Sequence, residues 1–261
     1  MAQMKWGSWQ IGGPRHYYRE GMILDVVSRM APKGRLLDVG CGTGSLITQL
    51  ALRGYEVHGV DMSEECVTRT RENLRLFVPE NQIDIKKGSA EKIDYPDGHF
   101  DIVIAAEVLE HVENDSLAVR EIYRVLRPGG VCVITVPANP ALWDVSDEMA
   151  GHKRRYSKQD ILALFTATSF QVERFLFLGF PLMRLYHRLI FLRWAEYAGK
   201  KRGGDLFQEG MATRVGLSRW SSLILGNLFR MDNLFRALPW WIGILLAAKK
   251  APTVSNPDKL T

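Results

Sequence analysis

Two groups of side chains in this sequence have the types and spacing to do chemistry. The first is Asp38-Val-Gly40-Cys-Gly42-Thr-Gly44, answered after the next apolar run by Asp61. Glycines at that spacing let backbone amides and a helix N-terminus come close to a bound nucleotide, where a Cβ would obstruct the approach. The dinucleotide fingerprint requires another glycine two residues after Thr43, and Ser45 stands there instead. Asp38, just ahead of the turn, would repel a pyrophosphate but attract a ligand carrying an ammonium and a sulfonium, which favours S-adenosylmethionine (SAM). Asp61 has the place and chemistry to accept hydrogen bonds from both ribose hydroxyls. The second group is Glu107, Glu110 and His111, within about one helical turn of each other, with His152 beyond the next strand. Four such oxygen and nitrogen ligands could converge on a divalent ion and lower the pKa of an acceptor hydroxyl. Without a metal, His111 and His152 are the candidates to take a proton, because imidazole titrates near neutral pH.

The elements that must position these groups can be traced in order. Leu36, Leu37 and Val39 read as a buried strand, and Leu46, Ile47 and Leu50 restart with helical spacing before Gly54. Residues 57–60 form a second strand ending on Asp61, and Ser63 caps a helix reaching about Phe77. Strands follow at 83–87 and 100–105, then a helix from Asn114-Asp115-Ser116 that Pro128-Gly129-Gly130 stops before a strand at 131–136. Trp143, Asp144, Asp147 and Glu148 lead to residues 151–156, a loop dense in groups that bind or activate an acceptor, in which Lys153, Arg154 and Arg155 would hold an anionic acceptor or form a solvated run. Ser157 and Asp160 make a capping box for the next helix, and strands are expected at 171–178 and 241–248. In an open α/β sheet ligands bind beyond the carboxyl ends of the strands, so both groups share one rim.

Asp38 to Gly44 with Asp61 resembles the cofactor motif of the class I SAM-dependent methyltransferases, and residues 35–136 follow that family's order of elements. The resemblance implies a Rossmann-like α/β fold: a seven-stranded, mostly parallel sheet with helices on both faces and the last strand antiparallel beside the fifth. It also implies cofactor-binding roles for Asp38, Gly40, Gly42, Gly44, Asp61, Met62, Ser89, Ala90 and Glu107. Ser89 departs from the acid that the family usually places beside the adenine. Pro14-Arg15-His16-Tyr17-Tyr18 is similar to the segment of the ubiquinone-biosynthesis O-methyltransferases that sets a cation against the SAM carboxylate, which would give Arg15 that role; the alternative is a helix packed on the sheet. The Glu107, Glu110, His111 and His152 pattern resembles the metal-binding set of those enzymes and of the small-RNA 2′-O-methyltransferases. Glu-Val-Leu-Glu-His-Val also resembles a stretch in methyltransferases that use no metal.

The chain's 261 residues can bury a full core, and they read as one domain with an insertion. Residues 1–34 would be an N-terminal lid, 35–178 with 241–250 the SAM-binding domain, 179–240 a helical insertion and 251–261 a loose tail. Three cysteines without metal-like spacing suit a reducing compartment, and no signal peptide is evident, so a cytoplasmic location is expected. The charge is uneven: residues 179–240 hold ten Lys and Arg against four Asp and Glu, a surplus of six where the whole chain has +5. Those cations alternate with large apolar residues in segments too interrupted to span a membrane. The insertion would therefore cap the acceptor pocket, form a homodimer face, or lie peripherally on an anionic membrane surface. The expected function is methylation of a hydroxyl on a hydrophobic or lipid-like small molecule. Alternatives are N- or C-methylation of a secondary metabolite or envelope sugar, and RNA methylation. No nucleic-acid partner is expected, because no stacking platform or recognition motif is present.

Overall fold

The computed structural model describes residues 13–31, 33–193, 219–235 and 241–252. Trp6 and Trp9 of the expected lid, the middle of the expected insertion and the tail from 253 lie outside the described residues. Helix α1 (Pro14–Met30) begins with a proline where a missing N–H costs nothing, and buries Tyr18, Met22, Ile23, Val26 and Val27 along one stripe. Next come β1 (Arg35–Val39), α2 (Ser45–Ala51), β2 (Glu56–Asp61), α3 (Glu64–Arg75) and β3 (Asp84–Lys87). Ser63 caps α3 by accepting the Cys66 N–H. Strand β4 (Phe100–Ala106) leads to α4 (Asp115–Val125), capped by Asn114, and directly into β5 (Leu126–Pro137).

The strands form a single sheet in the order β3-β2-β1-β4-β5-β7-β6. Strands β1 to β5 pair in parallel, while β7 (Gly243–Lys250) runs antiparallel to both β5 and β6 (Phe170–Leu178). This is the seven-stranded fold expected above. Both faces are covered: Ile23, Ile47 and Val67 pack on Leu36, Ile102 and Ile104 on one side. Ile122 of α4 and Phe165 of α6 (Lys158–Ala167) pack on Leu37, Val103 and Ile134 on the other. A parallel strand buried on both faces is apolar throughout, and Asp38, buried within β1, is the exception to explain.

The order in which strands are added reverses between β1 and β4, which opens a crevice at their carboxyl ends. One expectation needs correction there. Helix α4 ends at Val125, before Pro128-Gly129-Gly130, because Leu126 already pairs with Phe100. Ahead of the loop at 151–156 the chain forms a short helix that was not expected, α5 (Val145–Ala150), closed by a capping box between Asp144 and Asp147 and ended by Gly151 at φ +71°. Between β6 and β7 the chain forms α7 (Leu182–Tyr186), which runs on in a π turn (His187–Phe191), then α8 (Arg219–Leu228) and a 3₁₀ segment (Phe229–Phe235). Asp232 caps α7, accepting the Leu182 and Met183 N–H groups at 2.8 and 2.9 Å, so these pieces hold one another. Tyr18 and Tyr186 both pack on Phe229, tying them to α1.

Candidate active site

The cofactor side is built by the turn between β1 and α2. Gly40 has φ +71°, and a Cβ there would lie 2.6 Å from Val108 Cγ2, so only glycine fits. The turn is pinned from outside: Thr70 Oγ1 donates to the Gly42 carbonyl and Asn73 Nδ2 to that of Thr43, each at 2.8 Å. Asp61 accepts the Gly42 N–H through one oxygen and the Ser63 N–H through the other, both at 2.9 Å. Each oxygen keeps a lone pair for a further donor.

Three carboxylates meet at this crevice. Glu20, on the buried stripe of α1, accepts from Ser45 Oγ and Gln49 Nε2 and pairs with His16 at 2.9 Å. Burial works against its charge, but His16, Ser45 and Arg19 outweigh that and hold its carboxyl below the usual range. Asp38 has no such help. Burial first, then Glu20 and Asp61, push its carboxyl well above the ordinary value. Met62 is exposed beside Asp61. Ser89 accepts the Glu91 N–H at 3.1 Å, and Ala90 is buried next to it.

On the acceptor side, Glu107 follows β4 with φ +57°, a conformation disfavoured for a side chain that bears a Cβ. Its amide donates to the Thr135 carbonyl and its carboxylate pairs with Arg19 at 3.3 Å. Burial opposes its charge, but Arg19 and Arg15 lower its carboxyl below the usual range. Glu107 is thus paired with Arg19 and is not one of the three candidate ligands that lie within 4.8 Å of one another. The other three gather: ligand atoms of Glu110, His111 and His152 lie within 4.8 Å of one another. Glu110 is wholly buried with neither oxygen hydrogen-bonded, and burial, then Glu107, push it well above the ordinary carboxylate range. The rings of His111 and His152 meet edge to face at 4.8 Å, and burial, then His152, bring His111 down to about 4.

His152 is oriented from behind. Its Nδ1 lies 2.7 Å from Asp147 Oδ1, and Asp147, fully buried, also accepts two short bonds from Arg155. Burial opposes the charge of Asp147, but His152 and Arg155 hold it ionised below the usual range. An ionised carboxylate only accepts, so His152 carries its proton on Nδ1 and turns Nε2 toward Glu110, 4.0 Å away. Lys153 and Arg154, expected as acceptor contacts or a solvated run, are committed to Glu113 and Asp115. Arg15 donates to His187 Nδ1 at 2.9 Å and stacks over Phe191, so it sits where α1 meets α7.

Glu20, Thr70, Asn73, Arg19 and His187 were not singled out by sequence. Glu20 and His187 did leave a signal: each is a polar residue set into the buried stripe of its helix, beside Met22 and Ile23 or four residues after Met183.

Residues 37–134 match a family model described as a methyltransferase domain. Over 108 residues the chain is 39% identical to a ubiquinone biosynthesis O-methyltransferase of Dechloromonas aromatica, a match covering 41% of this chain and 46% of that protein. The chain thus spans about half the length of the curated relatives it matches. Among solved structures it is similar to the geranyl diphosphate C-methyltransferase of Streptomyces coelicolor, with TM-score 0.64, 15% identity and coverage of 89% of this chain and 80% of that one. It is equally similar in fold to a cyclase, with TM-score 0.61, 21% identity and coverage of 96% and 88%. Fold alone therefore does not choose the reaction; the sequence likeness to a methyltransferase domain lies in residues 37–134, and the sheet has the fold of the class I methyltransferases.

Proposed function

We propose that the protein transfers a methyl group from SAM to a hydroxyl of a hydrophobic or lipid-like small molecule, with His152 as the general base. The observation that carries this reading is the juxtaposition, across one crevice, of a cationic-ligand site and an oriented imidazole. The residues fit SAM: the turn opens at Gly42, where a Cβ would meet nothing within 4 Å, and the buried Asp38 carboxyl lacks a cation. Asp61 would take the ribose hydroxyls, with Met62, Ser89 and Ala90 along the adenine. Bound there, SAM supplies a methyl carbon already activated by its sulfonium. The chain's own task is then to align the acceptor and remove its proton. His152 Nε2 accepts that proton, and Asp147 with Arg155 stabilises the imidazolium that results. His111, held neutral, faces the same space and could relay it.

A second reading rests on Glu110. Its two unpartnered oxygens, with His111 and His152 alongside, fit a divalent ion that would hold the acceptor oxygen and lower its pKa. Exhaustive chelation should then abolish turnover, and survival of activity with no metal found by elemental analysis would return these residues to base and packing roles.

The acceptor's chemistry is read from the segment between β6 and β7. Leu185, Leu189, Ile190, Ile224 and Leu228 are exposed there among Arg188, Arg193 and Arg230. A basic amphipathic surface of this kind suits the headgroup region of an anionic leaflet, from which a lipid-like acceptor could enter. No described helix is long and apolar enough to cross a membrane. Incubating the protein with methyl-labelled SAM and fractionated cell extract tests the whole reading. Label is expected in the lipid or apolar small-molecule fraction; label in RNA, or in no fraction, would overturn it.

A further inference from the structure

We propose that His187, from the segment between β6 and β7, is a positioning residue for the candidate base: by fixing Asp144 it fixes the first turn of α5, whose Asp147 orients His152. The inference rests on the reading of His152 as the base and adds how that base is made ready.

The chain of contacts is continuous. His187 is buried, with Nδ1 2.9 Å from Arg15 Nη1 and Nε2 2.9 Å from Asp144 Oδ2. A guanidinium has only donors, so Nδ1 must be the accepting nitrogen and Nε2 must carry the hydrogen given to Asp144. Burial lowers the His187 pKa, which keeps this neutral, two-sided form. Its ring stacks on Phe191, and the Arg15 guanidinium lies over the same phenyl ring.

Asp144 divides its carboxylate between two tasks. Oδ1 accepts the Ser146 N–H at 2.8 Å as the cap of α5, and Oδ2 accepts from His187. The Asp144 amide in turn donates to Asp147 Oδ2 at 2.9 Å, and Asp147 Oδ1 holds His152. A helix of six residues has little stability of its own. Its first turn needs anchors outside the helix to hold a carboxylate in one place: Arg155 bonds Asp147 and lies 3.8 Å from Asp144 Oδ2, and His187 holds that same Asp144 oxygen at 2.9 Å. Seating α7 over the rim and fixing the tautomer of His152 are then one event. A base left in solvent would otherwise sample both tautomers and present Nε2–H, which cannot accept a proton.

The test needs neither SAM nor acceptor, so its failure is distinct from failure of the methyl-transfer reading. Protein labelled with ¹⁵N-histidine, with ring signals assigned by single substitution of its six histidines, should show His152 protonated at Nδ1 alone. In His187→Leu the His152 nitrogens should move toward the averaged position of two exchanging tautomers. His187→Gln should restore the wild-type signals, since the amide can accept from Arg15 and donate to Asp144. Asp144→Asn, which still caps α5 but loses the charge, should show the same displacement and serves if His187→Leu does not fold. Unchanged His152 signals in either displaced variant, or no rescue by glutamine, would overturn the proposal.

Discussion

The crevice that receives the cofactor and the rim that faces the acceptor differ in how they are made. The first is largely backbone: a turn of five residues, Gly40 to Gly44, pinned through its carbonyls by α3 and through an amide by Asp61. The second is made of side chains brought from α1, the β4 end, α5, the strand-bound loop after it and the π turn. They also differ in charge balance. On the rim, Glu107 and Asp147 each have an arginine, while Glu110 lacks a hydrogen-bond partner. In the crevice, Asp38 is buried beside two more carboxylates with no cation of its own. The rim meets two of these three carboxylates with arginines of its own, and the crevice has none for Asp38. Stability should therefore reside in the rim and ligand-responsiveness in the crevice.

The largest expected effect comes from breaking the rim's compensation. Arg155→Leu leaves the wholly buried Asp147 without its main partner, and removing one member of a buried pair costs about 3–5 kcal/mol. Denaturant unfolding should show this loss, while calorimetry should find SAM affinity changed by no more than a few-fold. A large drop in SAM affinity would mean that the two regions are not separable. Gly40→Ala should cost stability as well, but with the opposite outcome for the cofactor. The left-handed backbone costs about 1–2 kcal/mol, and the collision with Val108 adds overpacking of about 1–3 kcal/mol. Here the heat of SAM binding should disappear while the His152 ring signals stay as in wild type.

The same difference governs what could be read from the sequence. The crevice was legible because a backbone site leaves contiguous traces: glycines at fixed spacing, an acid ahead of them and an acid one strand later. The sheet was legible for a similar reason, since strands buried on both faces are apolar runs bounded by glycine and capping residues. On the rim, Glu110, His111 and His152 could be brought together by topology alone, because all follow the carboxyl ends of β4 and β5. Glu107 could not be excluded from them, since its departure depends on a positive φ and on Arg19, more than eighty residues away. Asp147 and His187 were harder still. The short helix α5 carries too few residues for a periodic signal, and the link from His187 to Asp144 crosses three elements of the fold. Lys153 and Arg154 looked available because a run of cations is silent about the carboxylates that meet it in space.

The smallest effect is the one that tests the comparison most directly. In the ligand-free protein the Asp38 carboxyl is raised above its unfolded value, by burial and then by Glu20 and Asp61. Between the ordinary carboxylate pKa and this raised one, the folded chain holds a proton that the unfolded chain has released. The folded state then binds more protons, so this group's contribution is most favourable below the unfolded pKa and is lost as pH rises through the folded pKa. Asp38→Asn should remove that cost and raise the stability of the ligand-free protein at neutral pH by on the order of 1 kcal/mol. A ligand bearing positive charge prefers the ionised form, so binding expels the proton and SAM affinity should climb with pH across the same window. Calorimetry in buffers of different ionisation enthalpy should detect that proton release in the wild type and none in Asp38→Asn, whose weakened binding should be flat with pH. Should the wild type release no proton and bind equally well at every pH, Asp38 would not be the carboxylate that waits for the cation, and the crevice would be as self-contained as the rim.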